Sequence, residues 1–542
     1  MFKYLLTLFI CSLAMVSQAK IPMGMNIDAV NYYSTSVPFN DLMMTASKMI
    51  SYPHGTYEWD SGKMNQIPVD TNGWPLELPF SIDGTGQDVR FLINNSIVGE
   101  YAVLYDGVGT IEYIGDSQVV DGVLHITLTG GGELHWINIT QSTQGNHIRN
   151  MRIIPLRFQN NEQTMPTFRS DFLQGLAPFH VLRFLDFAEI NDSEQVEWSG
   201  RNTKDTYTQG NGKGVAWEYM IELCNQLKVD AWILVPHMAS DDYLSKLALL
   251  LLNNLDSDRK LYIEFSNEVW NWMFSQSHYV LENAPNHPDA YVSAGLATIN
   301  SAPEDHPEKD AYMMARLFRI FSGVWGEESN RLVRVATGQH GWVDNSRRIL
   351  EYLFTTDGIG ADAFSVAGYF SYDDADHDTW VAMNPDDVQP EMILASASQY
   401  MVDHENRWTR ETATYATQFG VDFIVYEGGQ HMQPYHQGEW DYNHAVYEAQ
   451  IHPVMYDLYM QNFAVHDEPA VNCKLFVAYS YVGKRESRWG SWGHLENLSQ
   501  VGAPNLKTIA PKYQALLDFN SQAADSGRSS GMPWLSILLM NK

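Results

Sequence analysis

The strongest constraint on the fold is an alternation of short apolar runs with longer amphipathic runs from residue 179 onward. Seven apolar runs rich in β-branched and aromatic residues lie at 180–187, 230–237, 260–267, 331–338, 362–369, 421–426 and 474–481. Runs that are apolar throughout are typical of strands buried on both faces. The amphipathic runs predict helices at 214–227, 241–252, 311–325, 345–354, 409–419, 442–459 and 510–519. Such alternation predicts a parallel sheet covered by helices.

An eighth strand is predicted near the N-terminus, at 22–31, where it precedes a helix-like run at 38–50. Eight β/α units are the number that closes a TIM barrel. A doubly wound open sheet is the alternative, but no Gly-rich phosphate loop follows the first strand. We therefore predict an α/β fold, a (β/α)8 TIM barrel.

The interval 51–164 breaks this rhythm with short alternating runs that are separated by Asp-Gly and Gly-rich turns. This pattern is typical of antiparallel β structure, and it predicts an inserted antiparallel β domain after the first barrel strand. The insert either binds carbohydrate or walls the cleft, and its emergence at the active-site face favours the wall. The predicted division is 20–50 for the first β/α unit, 51–164 for the insert, 165–520 for the remaining barrel and 521–542 for a C-terminal tail.

The first 19 residues are typical of a signal peptide. Lys3 precedes an apolar stretch that is too short to span a bilayer, and Ser17 and Ala19 are the small residues that signal peptidases prefer. We predict cleavage after Ala19, a secreted or periplasmic location and no stable membrane insertion.

Charge and cysteine content exclude several classes of protein. The 65 acidic residues outnumber the 34 basic ones, giving a net charge of −31, which argues against nucleic-acid or anionic-lipid partners. Cys224 and Cys473 remain after the signal peptide and are predicted to be buried free thiols, with one disulfide as the alternative. No zinc spacing occurs, so neither a metal nor a cofactor is predicted. The acidic run at 373–378 could hold calcium, but it lacks EF-hand features and is better explained as a solvated loop.

Two glutamates carry the main catalytic signal. Glu268 ends the fourth predicted strand in the run LYIEFSNEVWNW, and Glu427 ends the seventh in the run FIVYEGGQH. Strands four and seven face each other across a TIM barrel, and catalytic groups lie at the carboxyl ends of barrel strands. Two facing carboxyl groups suit glycosidic bond cleavage, in which one is protonated and the other is ionised.

The run 264–268 resembles the Tyr-Glu-x-x-Asn-Glu-Pro stretch of the family 5 endoglucanases, and the whole layout resembles clan A of the glycoside hydrolases. These are retaining TIM-barrel glycosidases. The resemblance covers about 22–50 and 179–519, in layout more than in residue identity. It implies that Glu268 is the acid/base and that Glu427 is the nucleophile.

The same resemblance implies roles for further residues at strand ends. Arg183 would hydrogen-bond the nucleophile, and Tyr369 would orient it. His237 would line the sugar subsite, and Asn267 would bond the sugar 2-OH. His340, after the fifth strand, is a further subsite candidate. Glu264 is predicted to be a structural partner of Arg183, not a catalyst.

Aromatic side chains cluster after the catalytic strands and are candidates for stacking on sugar rings. They are Trp270 and Trp272 after strand four, and Trp489 and Trp492 after strand eight, where Tyr481 is another candidate. Packing beneath long loops is the alternative for each of them.

A basic cluster follows the eighth strand and bears on the kind of glycan. Lys484, Arg485 and Arg488 could pair with sulfate or carboxylate groups, or else with Glu486 and Glu496. The predicted function is a secreted retaining glycoside hydrolase acting on a polysaccharide or oligosaccharide of plants or marine algae. The alternatives are a non-catalytic carbohydrate-binding protein and an esterase, and the absence of a Gly-x-Ser-x-Gly motif counts against the esterase.

Overall fold

The computed structural model describes residues 21–286 and 305–525. The predicted signal peptide lies outside these residues, and so does most of the predicted tail. Within the two described ranges, no helix combines the length and the apolar character that crossing a membrane requires.

Strand β1 (Met23–Asn26) is followed by nine antiparallel strands and then by seven strands parallel to β1. The antiparallel strands are β2 (Ile50–Pro53), β3 (Phe80–Ile82), β4 (Thr85–Ile93), β5 (Val98–Asp106), β6 (Gly109–Ile114), β7 (Ser117–Val120), β8 (Val123–Thr129), β9 (His135–Ser142) and β10 (Arg149–Pro155). The parallel strands are β11 (Val181–Arg183), β12 (Asp230–Val235), β13 (Leu261–Phe265), β14 (Leu332–Thr337), β15 (Ala363–Phe370), β16 (Asp422–Gln430) and β17 (Phe476–Ala478).

Strand β1 and the seven later parallel strands form a closed barrel in the order β1-β11-β12-β13-β14-β15-β16-β17. Closure depends on β1, which pairs with β11 on one side and with β17 on the other. A Cβ atom on Gly24 would lie 2.9 Å from Val477 Cγ2 and 3.0 Å from the Val181 carbonyl oxygen. Glycine therefore lets β1 fit between its two neighbours, and the predicted TIM barrel is confirmed.

Helices follow the barrel strands and cover the outside of the barrel. They are α1 (Ser170–Leu176), α2 (Trp217–Leu227), α3 (Asp241–Asn254), α4 (Ser275–Asn283), α5 (His306–Trp325), α6 (Val343–Glu351), α7 (His377–Ala382), α8 (Pro390–Tyr400), α9 (Asn406–Phe419), α10 (Asn443–Ala449), α11 (Pro453–His466), α12 (Leu506–Ile509) and α13 (Pro511–Asp525).

Two helix predictions were wrong. The run 38–50 forms only a 3-10 turn at Leu42–Thr45, where the Asp41 carboxylate accepts from the Met43 N–H, and it then enters β2. The first barrel unit gains its helix, α1, only after the insert. The predicted helix 442–459 is two helices because Pro453, which lacks an N–H donor, begins α11.

The antiparallel strands form two sheets with a hydrophobic core of their own, which confirms the antiparallel prediction. The sheet orders are β10-β5-β8-β7 and β2-β4-β9-β6, and β3 pairs with β4. Val89, Phe91 and Ile137 lie in this second core. The insert also contacts the loop after β1, since the Asn95 N–H donates to the Tyr32 carbonyl at 3.0 Å.

The chain leaves and re-enters the barrel at nearly the same place. Phe39 and Phe168 form an antiparallel bridge, and their rings stack with centroids 5.6 Å apart. The Asn40 side-chain amide donates to the carbonyls of Pro166 and Phe168, both at 2.9 Å. One side chain thus ties the two ends of the insert together.

Candidate active site

The centre of the barrel mouth is organised by a buried guanidinium group at the end of β11. Arg183 donates from Nε and Nη2 to the two oxygens of Glu264, each at 2.9 Å. Its Nη1 donates to Asn26 Oδ1 at 3.0 Å and to Glu427 Oε1 at 2.6 Å, and its Nη2 also donates to Asn267 Oδ1 at 2.9 Å. All five N–H donors are therefore used, and Glu264 occupies the position predicted for a structural partner.

Glu427 is aimed by a bulge in β16. Between Val425 and Gly428 this strand has one more residue than the neighbouring stretches of β15 and β17. A bulge re-aims side chains, and here the consecutive residues Tyr426 and Glu427 both reach the centre. Glu427 Oε2 accepts from the Tyr369 hydroxyl at 2.8 Å, and the Tyr426 hydroxyl lies 3.4 Å from the carboxylate of Glu268.

Glu268 is presented by a strained turn after β13. Ser266 and Glu268 have φ values of 52° and 41°, in the left-handed region that non-glycine residues seldom adopt. Such backbone strain persists only where surrounding contacts enforce it, and it clusters at functional sites. The Asn271 amide holds the turn by donating to Glu268 Oε2 at 3.0 Å.

The two glutamates experience opposite surroundings. Burial, reinforced by the nearby negative charge of Glu427, raises the pKa of Glu268 to about 7. Glu427 instead accepts hydrogen bonds from Arg183 and Tyr369. The arrangement therefore places a buried carboxyl group with a raised pKa and a carboxyl group bonded by a guanidinium in one cleft, and two carboxyl groups in different surroundings suit glycosidic cleavage.

Three of the residues implied by the resemblance join this centre, and one stands beside it. Arg183, Asn267 and Tyr369 make the contacts given above. His237 packs its ring against Tyr279 at 5.1 Å, and burial lowers its pKa to about 4, so that the ring is neutral at pH 7. Within the described residues its Nδ1 has no hydrogen-bond partner. Its role in a sugar subsite stays a prediction.

The two tryptophans after β17 differ in their distance from the centre. Trp492 packs against Tyr369 and His431, with ring centroids 5.6 and 4.6 Å apart. Trp489 is 59% exposed. Its backbone carbonyl accepts a hydrogen bond from the Trp492 indole N–H at 3.2 Å. Trp492 therefore lies beside the centre and Trp489 lies at its exposed edge, and the sugar-stacking role of both rings stays a prediction.

The remaining candidates lie further from the glutamate pair or pack elsewhere. Trp272 packs on His306 of α5 with centroids 4.7 Å apart, which fits the packing alternative. Trp270 is half-buried and follows Glu268 by two residues. His340 bonds Thr409 of α9 at 2.9 Å, so its ring is tied to the outer helices.

The structure adds acidic and aromatic residues that were not predicted. Asp186 accepts from the Tyr479 hydroxyl at 2.8 Å, and its pKa is raised to about 7 by burial and by the charges of Glu427 and Asp28. Burial raises the pKa of Asp28 to about 6. Asp28 and Asp186 both lie near the C-terminal ends of predicted strands. That position was the sequence signal that could have identified them as candidate site residues. Tyr481, the residue considered instead of Tyr479, is buried against Phe172.

A cavity of about 430 Å³ adjoins the centre. It lies between the loop after β15, at 371–374, and the loop after β16, at 431–437. His431 lines the cavity and also packs its ring on Tyr369 at 5.1 Å. This imidazole therefore lies between the cavity and the ring of Tyr369, whose hydroxyl bonds Glu427.

The basic cluster after β17, the two cysteines and the acidic run at 373–378 have structural explanations. Arg485 lies 3.6 Å from Glu496 and 3.7 Å from Glu486, and Arg488 lies 3.4 Å from Glu439. Cys224 and Cys473 are free and buried, as predicted. The Asp373 carboxylate accepts from the Ala375 N–H and so caps a short turn. In the described ranges, no cluster of three or more His, Cys, Asp or Glu side chains is placed to hold a metal ion.

Comparison with known proteins gives only distant structural likenesses. No protein-family model and no curated protein sequence matches the chain. Among solved structures, the chain is similar to a family 51 arabinofuranosidase of Xanthomonas axonopodis pv. citri (13% identity, 60% of this chain, 62% of that chain, TM-score 0.37). It is also similar to a family 51 α-L-arabinofuranosidase of Thermotoga petrophila RKU-1 (12% identity, 65% of this chain, 63% of that chain, TM-score 0.37). A third similar structure is a family 10 xylanase of Thermobacillus composti (8% identity, 63% of this chain, 89% of that chain, TM-score 0.34).

These structures are glycoside hydrolases, which is the class that the sequence resemblance implies. The chain spans less than two thirds of the length of the two arabinofuranosidases.

Proposed function

We propose that the protein is a secreted retaining glycoside hydrolase that cleaves O-glycosidic bonds of a polysaccharide or oligosaccharide. The observation that carries the proposal is the convergence of Glu268 and Glu427 at the barrel mouth in opposite surroundings. Burial favours the protonated form of Glu268, whereas Glu427 accepts hydrogen bonds from Arg183 and Tyr369.

The proposed mechanism is a double displacement. The Glu427 carboxylate attacks the anomeric carbon while Glu268 donates its proton to the departing glycosidic oxygen, which leaves as an alcohol. A covalent glycosyl ester on Glu427 results. Glu268, now ionised, removes a proton from water, and this water attacks the anomeric carbon and releases the sugar from Glu427. The anomeric configuration is retained because it is inverted twice.

The direct test is product release from a broad panel of plant and marine algal polysaccharides, followed by proton NMR of the first anomer formed. We expect release of reducing sugars with retained configuration. An inverted product would contradict the double displacement and the nucleophilic role of Glu427. Binding without release on every glycan would instead support the carbohydrate-binding alternative.

The pH dependence follows from the state of Glu268. Its pKa of about 7 predicts that kcat/KM for an unactivated oligosaccharide falls about tenfold per pH unit above pH 7, because the free enzyme loses the proton that the leaving oxygen needs. We expect this alkaline limb to disappear in Glu268→Gln, measured from pH 5 to 9. Asp186, whose pKa is also raised to about 7, provides the matched control. Persistence of the limb in Glu268→Gln and its loss in Asp186→Asn would reassign the acid.

The Tyr369 hydroxyl supplies a further test because it donates to Glu427 at 2.8 Å. Hydrogen bonds to charged groups contribute about 1.5–3 kcal/mol, so Tyr369→Phe should lower kcat about 10- to 100-fold. Tyr481→Phe removes a buried hydroxyl that bonds the Phe172 carbonyl outside the centre. That control should leave kcat within twofold. An equal effect of both variants on kcat would indicate a structural role for Tyr369.

A further inference from the structure

The cavity neighbours the glutamate centre through His431, whose ring packs on Tyr369. Tyr369, which bonds Glu427, lies two residues before Ser371 in the cavity wall. His431, on the opposite loop, contacts both Tyr369 and Trp492. A glycan held against Tyr369 and Trp492 would therefore extend into the cavity past one imidazole ring.

The walls of the cavity are rigid and partly aromatic. The Tyr435 ring stacks on His377 with centroids 3.9 Å apart, and the Tyr372 hydroxyl donates to the Gln433 carbonyl at 2.6 Å. Flat rings that are already fixed in place suit the apolar faces of sugar rings, since little side-chain entropy is lost on binding. The volume lies within the range of small-molecule sites.

The charge of the cavity is negative. Asp373 and Asp374 line it, whereas no lysine or arginine among the described residues does so. Burial lowers the pKa of His431, so its ring adds no positive charge at neutral pH. Two of the three cations after β17, Arg485 and Arg488, pair with acidic side chains instead. A sulfate or carboxylate group entering the cavity would meet negative charge without compensation.

We propose that this cavity is a sugar subsite that accepts an uncharged sugar unit and rejects sulfated or uronic units. The carboxylates of Asp373 and Asp374 would accept hydrogen bonds from sugar hydroxyls, and Tyr435 would contact the ring. This inference rests on the proposed glycosidase function. It narrows the substrate class to a glycan that is neutral at the unit held in this cavity.

The test measures binding, so that it does not depend on turnover. Affinity electrophoresis would use Glu427→Gln in gels that contain a neutral polysaccharide (hydroxyethylcellulose, xylan, mannan, laminarin or agarose) or an anionic one (alginate, polygalacturonate or ι-carrageenan). Asp374→Asn is added to test the subsite, since the Asp373 carboxylate also caps a turn. Asp378→Asn is the matched control, because Asp378 belongs to the same acidic run, is exposed and does not line the cavity.

We expect retardation by at least one neutral polysaccharide, at least a fivefold weaker binding in Asp374→Asn, and unchanged binding in Asp378→Asn. The subsite is refuted by equal or tighter binding of anionic polysaccharides, by equal effects of the two substitutions, or by no retardation on any neutral glycan. Asp374-dependent binding without hydrolysis by the parent protein would refute the hydrolase and leave the subsite. Hydrolysis of a polymer whose binding does not depend on Asp374 would refute the subsite and leave the hydrolase.

Discussion

Replacing Glu427 by glutamine should lower kcat on the cognate glycan at least about 10³-fold, because no covalent intermediate can then form. The substitution is nearly isosteric, and the amide oxygen can still accept from Arg183 or Tyr369. The protein should therefore keep its fold, which circular dichroism would verify. Glu328→Gln, on an exposed residue in the 3-10 turn that follows α5, is the control and should retain full activity.

Azide rescue separates the roles of the two glutamates. In Glu427→Ala, azide can attack the anomeric carbon directly in place of the missing carboxylate, which gives a glycosyl azide of inverted configuration from an activated aryl glycoside. In Glu268→Ala, the nucleophile remains, so azide should attack the glycosyl ester and give a product of retained configuration. The reverse pattern would exchange the two assignments, and full activity of Glu427→Gln would remove Glu427 from the chemistry.

The second large effect concerns stability. Arg183→Met should lower the free energy of unfolding by about 3–5 kcal/mol, because Glu264 and Glu427 would lose the buried cation that pairs with them. Both ion pairs are almost completely buried, so water cannot replace the lost hydrogen bonds. Urea unfolding followed by tryptophan fluorescence would measure the loss. Arg183→Lys should recover only part of it, since an ammonium group has three donors where five are used.

A surface pair provides the matched comparison for Arg183. Arg410 forms a two-pronged pair with Glu468 at 2.7 Å, but its side chain is 46% exposed. Ion pairs in contact with water contribute about 0.2–1 kcal/mol, so Arg410→Met should cost no more than that. Equal losses for the two substitutions would show that burial does not set the importance of Arg183.

The barrel was predictable because its evidence is repetitive. Each of eight apolar runs alternates with a helical run, and errors in single boundaries do not change the count. The first unit was the exception, since its helix lies on the far side of the insert. The sequence pattern therefore predicts a helix at 38–50. In the structure, Asp41 and the core of the insert favour a short turn there instead.

The position of the two glutamates at strand ends was predictable, but the geometry around them was not. Strict alternation along β16 would send Tyr426 away from the cleft if Glu427 faces it, and only the bulge brings both residues inside. Asp28 and Asp186 lie near the ends of the first two barrel strands, but no local motif distinguishes them from ordinary solvated acids. Their proximity to Glu427 arises from closure of the barrel, and it is not visible in the order of residues along the chain.

The shared exit and entry of the insert has a consequence for the order of folding. About 150 residues separate β1 from its partner β11. Closing a flexible loop of that length would cost about 4 kcal/mol of chain entropy, in addition to a constant term. The insert has a core of its own, and Phe39 and Phe168 meet at its base. Once the insert has folded, the chain segments that lead to β1 and to α1 are held close together. We therefore expect ring closure of the barrel to become a local event, so that the folding rate of the whole protein depends on a part of the chain that supplies none of the eight barrel strands.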